Sequence, residues 1–297
     1  MAEGSSSCRA AGKGNGTKMK IGYQGVKGAF SETAVRMWTE SRGLEGCYDE
    51  VGYSSFIDML ADVESGRLDY AMFPVENTTT GIIARTYDHF KQYNIHVVGE
   101  VVVPIRECLI ANPGAAIEDI REVYSHPEAL SQCSELFRRY PAMKPHAHED
   151  TALSVSYIRD SGDKTKAALA SELAAETYGM QILLPHIQDN DVNMTRFFCM
   201  TAGEDYPDDA DKVSIRMVTG HTPGSLYNAL GIFAALNINV LKLESRPIFG
   251  RVFEYCFFLD FAGNLNDPDV QEALRRLRYD CAELDLFGNY KAAMDYM

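Results

Sequence analysis

The sequence predicts an α/β protein, and three observations carry that prediction. Short apolar runs alternate with amphipathic segments over residues 19–201, the order expected of strands and helices that share cores. Several of those runs lead into or out of patches of hydroxyl, carboxamide and glycine residues, as strand ends do at the ligand sites of open α/β sheets. Beyond an acidic stretch, Gly203-Glu204-Asp205-Tyr206-Pro207-Asp208-Asp209-Ala210-Asp211, the order becomes βαββαβ, that of a ferredoxin-like plait of about 75 residues.

Residues 19–24 read as the first strand and 29–42 as the first helix. Ser54 or Ser55 can cap a helix through Val63, with apolar residues 56, 57, 60 and 63. Gly66 and Asp69 precede a buried strand, Tyr70-Ala71-Met72-Phe73, and residues 82–93 read as a helix. Residues 95–103 read as strands around Gly99-Glu100, and 107–111 as a strand closed by the turn Asn112-Pro113-Gly114. Helices follow at 130–139 and 151–159, a short apolar strand at 167–170, and a helix at 171–178 ended by Gly179. After the acidic linker come a strand at 212–218 and a turn at His221-Thr222-Pro223-Gly224. The helix at 225–236 carries apolar residues 226, 229, 230, 233 and 236. Strands at 240–244 and 253–261, a helix at 267–277 and a strand at 282–287 complete the plait.

At 297 residues the chain is long enough for about two domains with cores of their own. Its net charge of −14, with no basic stripe, argues against nucleic acid as a partner. An anionic ligand has to be held by local amides, hydroxyls and a few cations, because the field of the whole molecule repels it. No apolar stretch reaches the ~18 residues of a membrane helix, so no membrane partner is expected. The seven cysteines are odd in number and show no metal spacing, which fits a reducing compartment and no metal. The cytoplasm is the expected location. Residues 1–18, rich in Gly, Ser, Ala and Lys, read as a disordered leader.

Four segments hold the polar chemistry. Pro74-Val75-Glu76-Asn77-Thr78-Thr79-Thr80-Gly81 follows a buried strand, and its hydroxyls suit a helix start, where free backbone N–H groups attract anions. Gly22-Tyr23-Gln24-Gly25-Val26-Lys27-Gly28 lets backbone turn sharply and approach a ligand, but it is not G-x-G-x-x-G, so no dinucleotide is expected. Ser125-His126-Pro127-Glu128 again feeds a strand end into a helix, and Asn193-Met194-Thr195-Arg196-Phe197 leads into an apolar strand.

In this order these motifs resemble those of prephenate dehydratases: Gln24-Gly25 with Gly28-Ala29-Phe30-Ser31-Glu32, then Pro74 to Gly81, Ser125-His126-Pro127 with Gln132-Cys133, and Asn193 with Thr195-Arg196-Phe197. The closing plait resembles that family's ACT regulatory domain at Gly224-Ser225-Leu226-Tyr227 and Glu244-Ser245-Arg246-Pro247. The resemblance covers about residues 19–297. It implies a catalytic domain of the two-lobed periplasmic-binding-protein type over 19–205, with lobe one at 19–100 and 185–205 and lobe two at 101–184. It implies a ferredoxin-like ACT domain at 212–297. The implied reaction is decarboxylative dehydration of prephenate to phenylpyruvate, without metal or organic cofactor, under control by phenylalanine. A homodimer or homotetramer is expected, since ACT domains usually pair their sheets.

The resemblance also implies roles. Thr195 is the candidate that assists hydroxyl departure. Glu76 either relays a proton or forms a structural pair, and Arg196 either takes a substrate carboxylate or locks Glu76 or Asp150. Asn77, Thr78, Thr79, Ser125, Gln132, Asn193 and Phe197 are assigned to the substrate, with capping as the other reading of Asn77, Thr78 and Thr79. His126 is either a general base or a histidine tied down before Pro127. Gly224, Ser225, Leu226, Glu244, Ser245 and Arg246 are assigned to phenylalanine. Two departures stand out: Glu128 where many members have glutamine, and Glu107 near a position where many have histidine. Glu128, with Glu149 and Asp150, keeps a second substrate open, arogenate, which differs from prephenate by an amine in place of the ketone. A non-catalytic amino-acid sensor is the rival of another class, and an intact Thr195 argues against it.

Overall fold

β1 (Met19–Gln24) is the hub of the first sheet, with Ile21 and Tyr23 buried along it. It pairs in parallel with β2 (Tyr48–Tyr53) and β3 (Tyr70–Asn77), after crossovers through α1 (Phe30–Glu40) and α2 (Phe56–Glu64). The Ser55 hydroxyl caps α2 by accepting from Asp58 N. β3 turns at Thr78–Thr80 into a two-residue partner, β4 (Gly81–Ile82), and only then does α3 (Ala84–Phe90) begin. The three threonines therefore do not start a helix: they form the tight turn of a β3–β4 hairpin, with Gly81 at φ +80°. This computed structural model describes residues 18–294, so the leader expected at 1–18 lies outside them apart from Lys18.

The chain next forms one continuous strand, β5 (His96–Pro104), and enters a second sheet through β6 (Cys108–Ala111). β7 (Glu122–Ser125) leads into α4 (Pro127–Gln132) and α5 (Ser134–Arg139). These are two helices where the sequence suggests one, because Cys133 between them sits at φ −120°, ψ 37°. β8 (Lys144–Ala147), α6 (Thr151–Ser161), β9 (Lys166–Ala170), α7 (Glu172–Tyr178) and β10 (Gln181–Leu184) complete the order β10-β6-β9-β7-β8. Both faces of this sheet are covered, so its strands read as unbroken apolar runs. Leu109, Ala167 and Leu169 face a cluster with Leu136 and Met143, while Ile110, Ala168 and Ala170 face Val155, Ile158 and Ala174. The sequence does not announce β2 or β8. Both are edge strands, and their charged residues and Pro145 belong there for that reason. The chain returns through β11 (Met194–Thr201), which borders β3.

By their internal contacts, residues 18–93 with 101–197 form one compact unit and 94–100 with 198–294 another, so the division falls inside β5 and β11. Two points tie the sheets of the first unit together. The Ser171 hydroxyl donates to Gly28 O at 2.6 Å, and Gly28, at φ +88°, lies so close to α7 that a Cβ there would stand 2.7 Å from Ala174 Cα.

In the second unit β12 (Lys212–Thr219) is flanked by β14 (Tyr255–Ala262) and β15 (Cys281–Tyr290), with β13 (Val240–Pro247) at the edge, all antiparallel. α8 (Ser225–Ala235) and α9 (Pro268–Asp280) cover one face, where Val213, Ile215 and Met217 meet Phe233 and Leu277. The alternate residues of β12 are polar and still buried. Lys212 Nζ donates to both oxygens of Glu100 at 3.0 and 3.1 Å, Arg216 to Glu283 and Asp285, and Ser214 to Asp260. Removing one member of such a buried pair costs about 3–5 kcal/mol.

Candidate active site

The ends of β3 and β11 lie side by side, and their residues pair in opposite senses. Thr78 N donates to Met194 O, Asn77 Nδ2 to Thr195 Oγ1 at 3.0 Å, and Arg196 Nη2 to Glu76 Oε2 at 2.9 Å. Side chains alternate along strands, so these pairs fall on opposite faces. Asn77 and Thr195 share one face with Asn193, and Glu76 and Arg196 share the other. Period two alone separates 76 and 196 from 77 and 195, and that signal was available in the sequence.

The Asn77 carboxamide is oriented by backbone. Its Oδ1 accepts from Thr79 N at 2.8 Å and Thr80 N at 3.0 Å, and a backbone N–H can only donate. Nδ2 therefore points the other way, and its two protons go to Asn193 Oδ1 at 2.8 Å and to Thr195 Oγ1. The same logic passes down the chain of amides. With its oxygen facing Asn77, Asn193 donates from Nδ2 to Gln132 Oε1 at 2.8 Å, so the Gln132 amino group is not used within the chain of amides. Thr195 Oγ1 is held as an acceptor, so its own proton remains to give. The residue is 7% exposed. An N–H aimed at a hydroxyl oxygen favours that oxygen's release of a proton, because it steadies the negative charge that develops.

Asn77, Asn193, Thr195 and Gln132 are thus brought together, with Thr79 at the margin through a 3.5 Å contact to Asn193 Oδ1. Thr78 is committed elsewhere: its hydroxyl donates to Val192 O and accepts from Met194 N, closing the strand ends. Arg196 and Glu76 form the ion pair that was one of the two sequence readings, and Arg196 is buried in it. Phe197 lies in the core at 2% exposure. Ser125 is wholly buried and its hydroxyl donates to Leu169 O at 2.7 Å, which locks β7 to β9 and not to the amide chain. His126 is a cap: its Nδ1 accepts from Glu128 N. Among the described residues no cluster of His, Cys, Asp and Glu forms a metal cradle, and no helix is long and apolar enough to cross a membrane.

Sequence reasoning passed over two contributors. Thr80 helps to orient Asn77 through its N–H and hydroxyl. Glu107 was noted only as a departure from pattern, yet it is 2% exposed and its Oε2 is buried without a hydrogen-bond partner. Burial, and after it the charge of Asp150, push its carboxyl up to about 8.

Residues 21–205 match the prephenate dehydratase family, and residues 213–279 match the ACT domain. The chain belongs to the prephenate dehydratase family. A relative from Arabidopsis thaliana, named arogenate dehydratase/prephenate dehydratase 2, chloroplastic, is 36% identical over 287 residues, 93% of this chain and 74% of that one. The structure of a prephenate dehydratase from Arthrobacter aurescens in complex with L-Phe superposes with a TM-score of 0.84 at 26% identity, over 93% of this chain and 90% of that one. A structure described as a quorum-quenching acylase superposes at 0.82 and 29% identity, over 92% of this chain and 98% of that one.

In the ACT domain, Gly224 at φ +86° caps α8, the Ser225 hydroxyl turns back to Thr222 O at 2.9 Å, and Leu226 packs against the core of the plait. Residues 219–227 line an open pocket of about 510 Å³. Glu244, Ser245 and Arg246 lie on edge strand β13, opposite Phe258, Phe257 and Cys256.

Proposed function

We propose that this prephenate dehydratase family member carries out the decarboxylative dehydration of prephenate or its amino-acid counterpart arogenate, with Thr195 serving the departing hydroxyl. In that reaction the ring carboxylate leaves as carbon dioxide. Its C–C bonding electrons enter the ring, and the C–O bond across the ring breaks to give an aromatic product. The hydroxyl leaves as water once it accepts a proton, and solvent restores that proton to the enzyme. The chain therefore needs a donor at the hydroxyl and polar groups that hold the acid functions. The observation that carries the reading is the 3.0 Å bond from Asn77 Nδ2 to Thr195 Oγ1, with the amide direction fixed by Thr79 N and Thr80 N. A hydroxyl held as an acceptor at neutral pH is set to donate to the substrate. Gln132 Nε2 and Thr79 supply further donors to the same ligand.

We also propose that phenylalanine binds the ACT domain at residues 219–227, with its carboxylate at the start of α8 and with Glu244, Ser245 and Arg246 completing the site, in a dimer or tetramer. The L-Phe complex of the Arthrobacter aurescens protein supports the ligand. Ser225 N is taken by Thr222 O and Asn228 N by Gly224 O, so the N–H groups of Leu226 and Tyr227 supply the anion site. Phenylalanine alters turnover by favouring one of two arrangements.

The test is an assay of purified protein with prephenate and with arogenate, with and without phenylalanine, following phenylpyruvate and phenylalanine. Product from either substrate, changed by phenylalanine, is expected. Thr195→Val is expected to lower kcat by about 10²–10³, the usual effect of removing one donor aimed at developing charge. Full activity in a folded Thr195→Val protein overturns the role of Thr195. Absence of both products alongside acyl hydrolysis overturns the reading as a whole. Against that outcome stand the bonds of Ser125 and His126, which go to Leu169 O and Glu128 N and not to each other.

A further inference from the structure

Glu107 occupies the same end of the second sheet as the strand ends that feed α4, α6 and α7. It immediately precedes Cys108, which pairs with Ala170 at the carboxyl end of β9. Three helices begin at that end, capped by His126, Asp150 and Ser171. The neighbours of Glu107 are the neighbours of the amide chain. Two residues before it, Ile105 N donates to Asn193 O at 2.8 Å. Its N–H donates to Gln188 Oε1, and the next residue, Asp189, donates from its N–H to Gln132 O. Its charge reaches Cys133, the residue after Gln132.

The side chain is nine-tenths buried and more, and Oε2 has no partner. That is costly in either protonation state. As an acid the group lacks an acceptor for its proton, and as a carboxylate it lacks donors. Asp150 is close enough to act on it electrostatically. Asp150 Oδ1 is taken up by Leu153 N, while Oδ2 lies 3.7 Å from where a Cβ on Gly25 would stand, on the glycine-rich loop of the first sheet. With Asp150 near and its own oxygen unpaired, Glu107 keeps a proton until a ligand arrives, and an arriving cationic donor group satisfies it fully, the proton passing to solvent as the carboxylate pairs with the cation. A keto oxygen brings an acceptor and no charge. An ammonium brings three donors and one positive charge.

We propose that Glu107, with Asp150 beside it, receives the ammonium group of an amino-acid substrate and so makes arogenate preferred over the keto acid prephenate. The proposal rests on the reading above that the Thr195 site performs the dehydration. Glu107 is a specificity residue: it touches the end of the substrate that does not react. Arogenate also carries one negative charge fewer than prephenate, which suits a site with two acids.

The experiment measures kcat/KM for arogenate and for prephenate in the wild-type chain and in Glu107→Gln, with melting curves to confirm folding. Wild type is expected to favour arogenate. Glu107→Gln is expected to lower the arogenate-to-prephenate ratio by about tenfold or more, the range of one charge-assisted hydrogen bond, chiefly through KM for arogenate. Prephenate turnover is expected to stay level or rise. A wild type that favours prephenate, a ratio that holds within twofold, or an equal loss on both substrates overturns the proposal. If Glu107→Gln fails to fold, Asp150→Asn, which keeps the capping oxygen, is read by the same ratio and the same criteria. A wild type that turns over neither substrate defeats the underlying reading instead.

Discussion

The substitution Asn77→Asp tests the orientation of the whole site with almost no change of shape. The oxygen that accepts from Thr79 N and Thr80 N is kept, so the turn survives. The two bonds that Nδ2 donates, to Asn193 Oδ1 at 2.8 Å and Thr195 Oγ1 at 3.0 Å, are lost, and an oxygen replaces the nitrogen opposite two acceptors. The Thr195 hydroxyl turns to donate to the new oxygen, so one hydrogen bond at about 1 kcal/mol is lost outright, and with one unsatisfied buried acceptor at about 1–3 the loss is about 2–4 kcal/mol. Flipping Asn193 and Gln132 together restores one of the bonds and brings the figure towards the low end. It also turns an oxygen of Gln132 towards the ligand, where an N–H stood. Thr195 now spends its proton on the carboxylate that replaces the amide, so kcat is expected to fall by about 10²–10³. Urea denaturation reads the first effect and steady-state kinetics the second. A variant within about 1 kcal/mol of wild type and within threefold in kcat would show that the carboxamide does not set the threonine's proton, and the mechanism drawn from it would be wrong.

Other substitutions probe other links. Gly28→Ala places a methyl 2.7 Å from Ala174 Cα at a φ of +88°, so it is expected to cost about 2–4 kcal/mol and lower the melting temperature; an unchanged melting curve would show that the approach of Gly28 to α7 is not tight. Glu107 gives a pH signature. Its carboxyl is raised from 4.5 to about 8, so the folded state holds this proton more tightly than the unfolded chain does. Its contribution is complete below about pH 4.5 and fades as pH rises through about 8, by on the order of 4–5 kcal/mol as an upper bound, at about 1.4 kcal/mol per pH unit between the two values. Glu107→Gln is expected to gain stability over wild type progressively between those limits, and parallel pH–stability curves would contradict that.

Much of this was legible in the residues. β1, β3, β6 and β9 announce themselves because apolar runs are what a sheet covered on both faces requires. The amide chain was legible in part, since Asn77, Asn193 and Thr195 are polar residues at the ends of apolar strands. What misled was chemistry that serves two structures equally: the Thr78–Thr80 hydroxyls suit a helix cap and a hairpin turn alike, and the pairing of Thr78 with Met194, 116 residues away, settles which. Ser125 carries the same ambiguity, because a hydroxyl at a strand end can bind outward or lock a neighbouring strand, and its bond to Leu169 O does the second. Long-range pairing decides such cases, and no local pattern reveals it.

The chain's last described residues are not a loose end. Ala293 N donates to Glu100 Oε1, on the carboxylate that also holds Lys212, and Ala292 N donates to Asp211 Oδ1. A handle inserted next to Ala293 therefore sits beside a buried charge cluster, and any change there reaches the pair of Glu100 and Lys212.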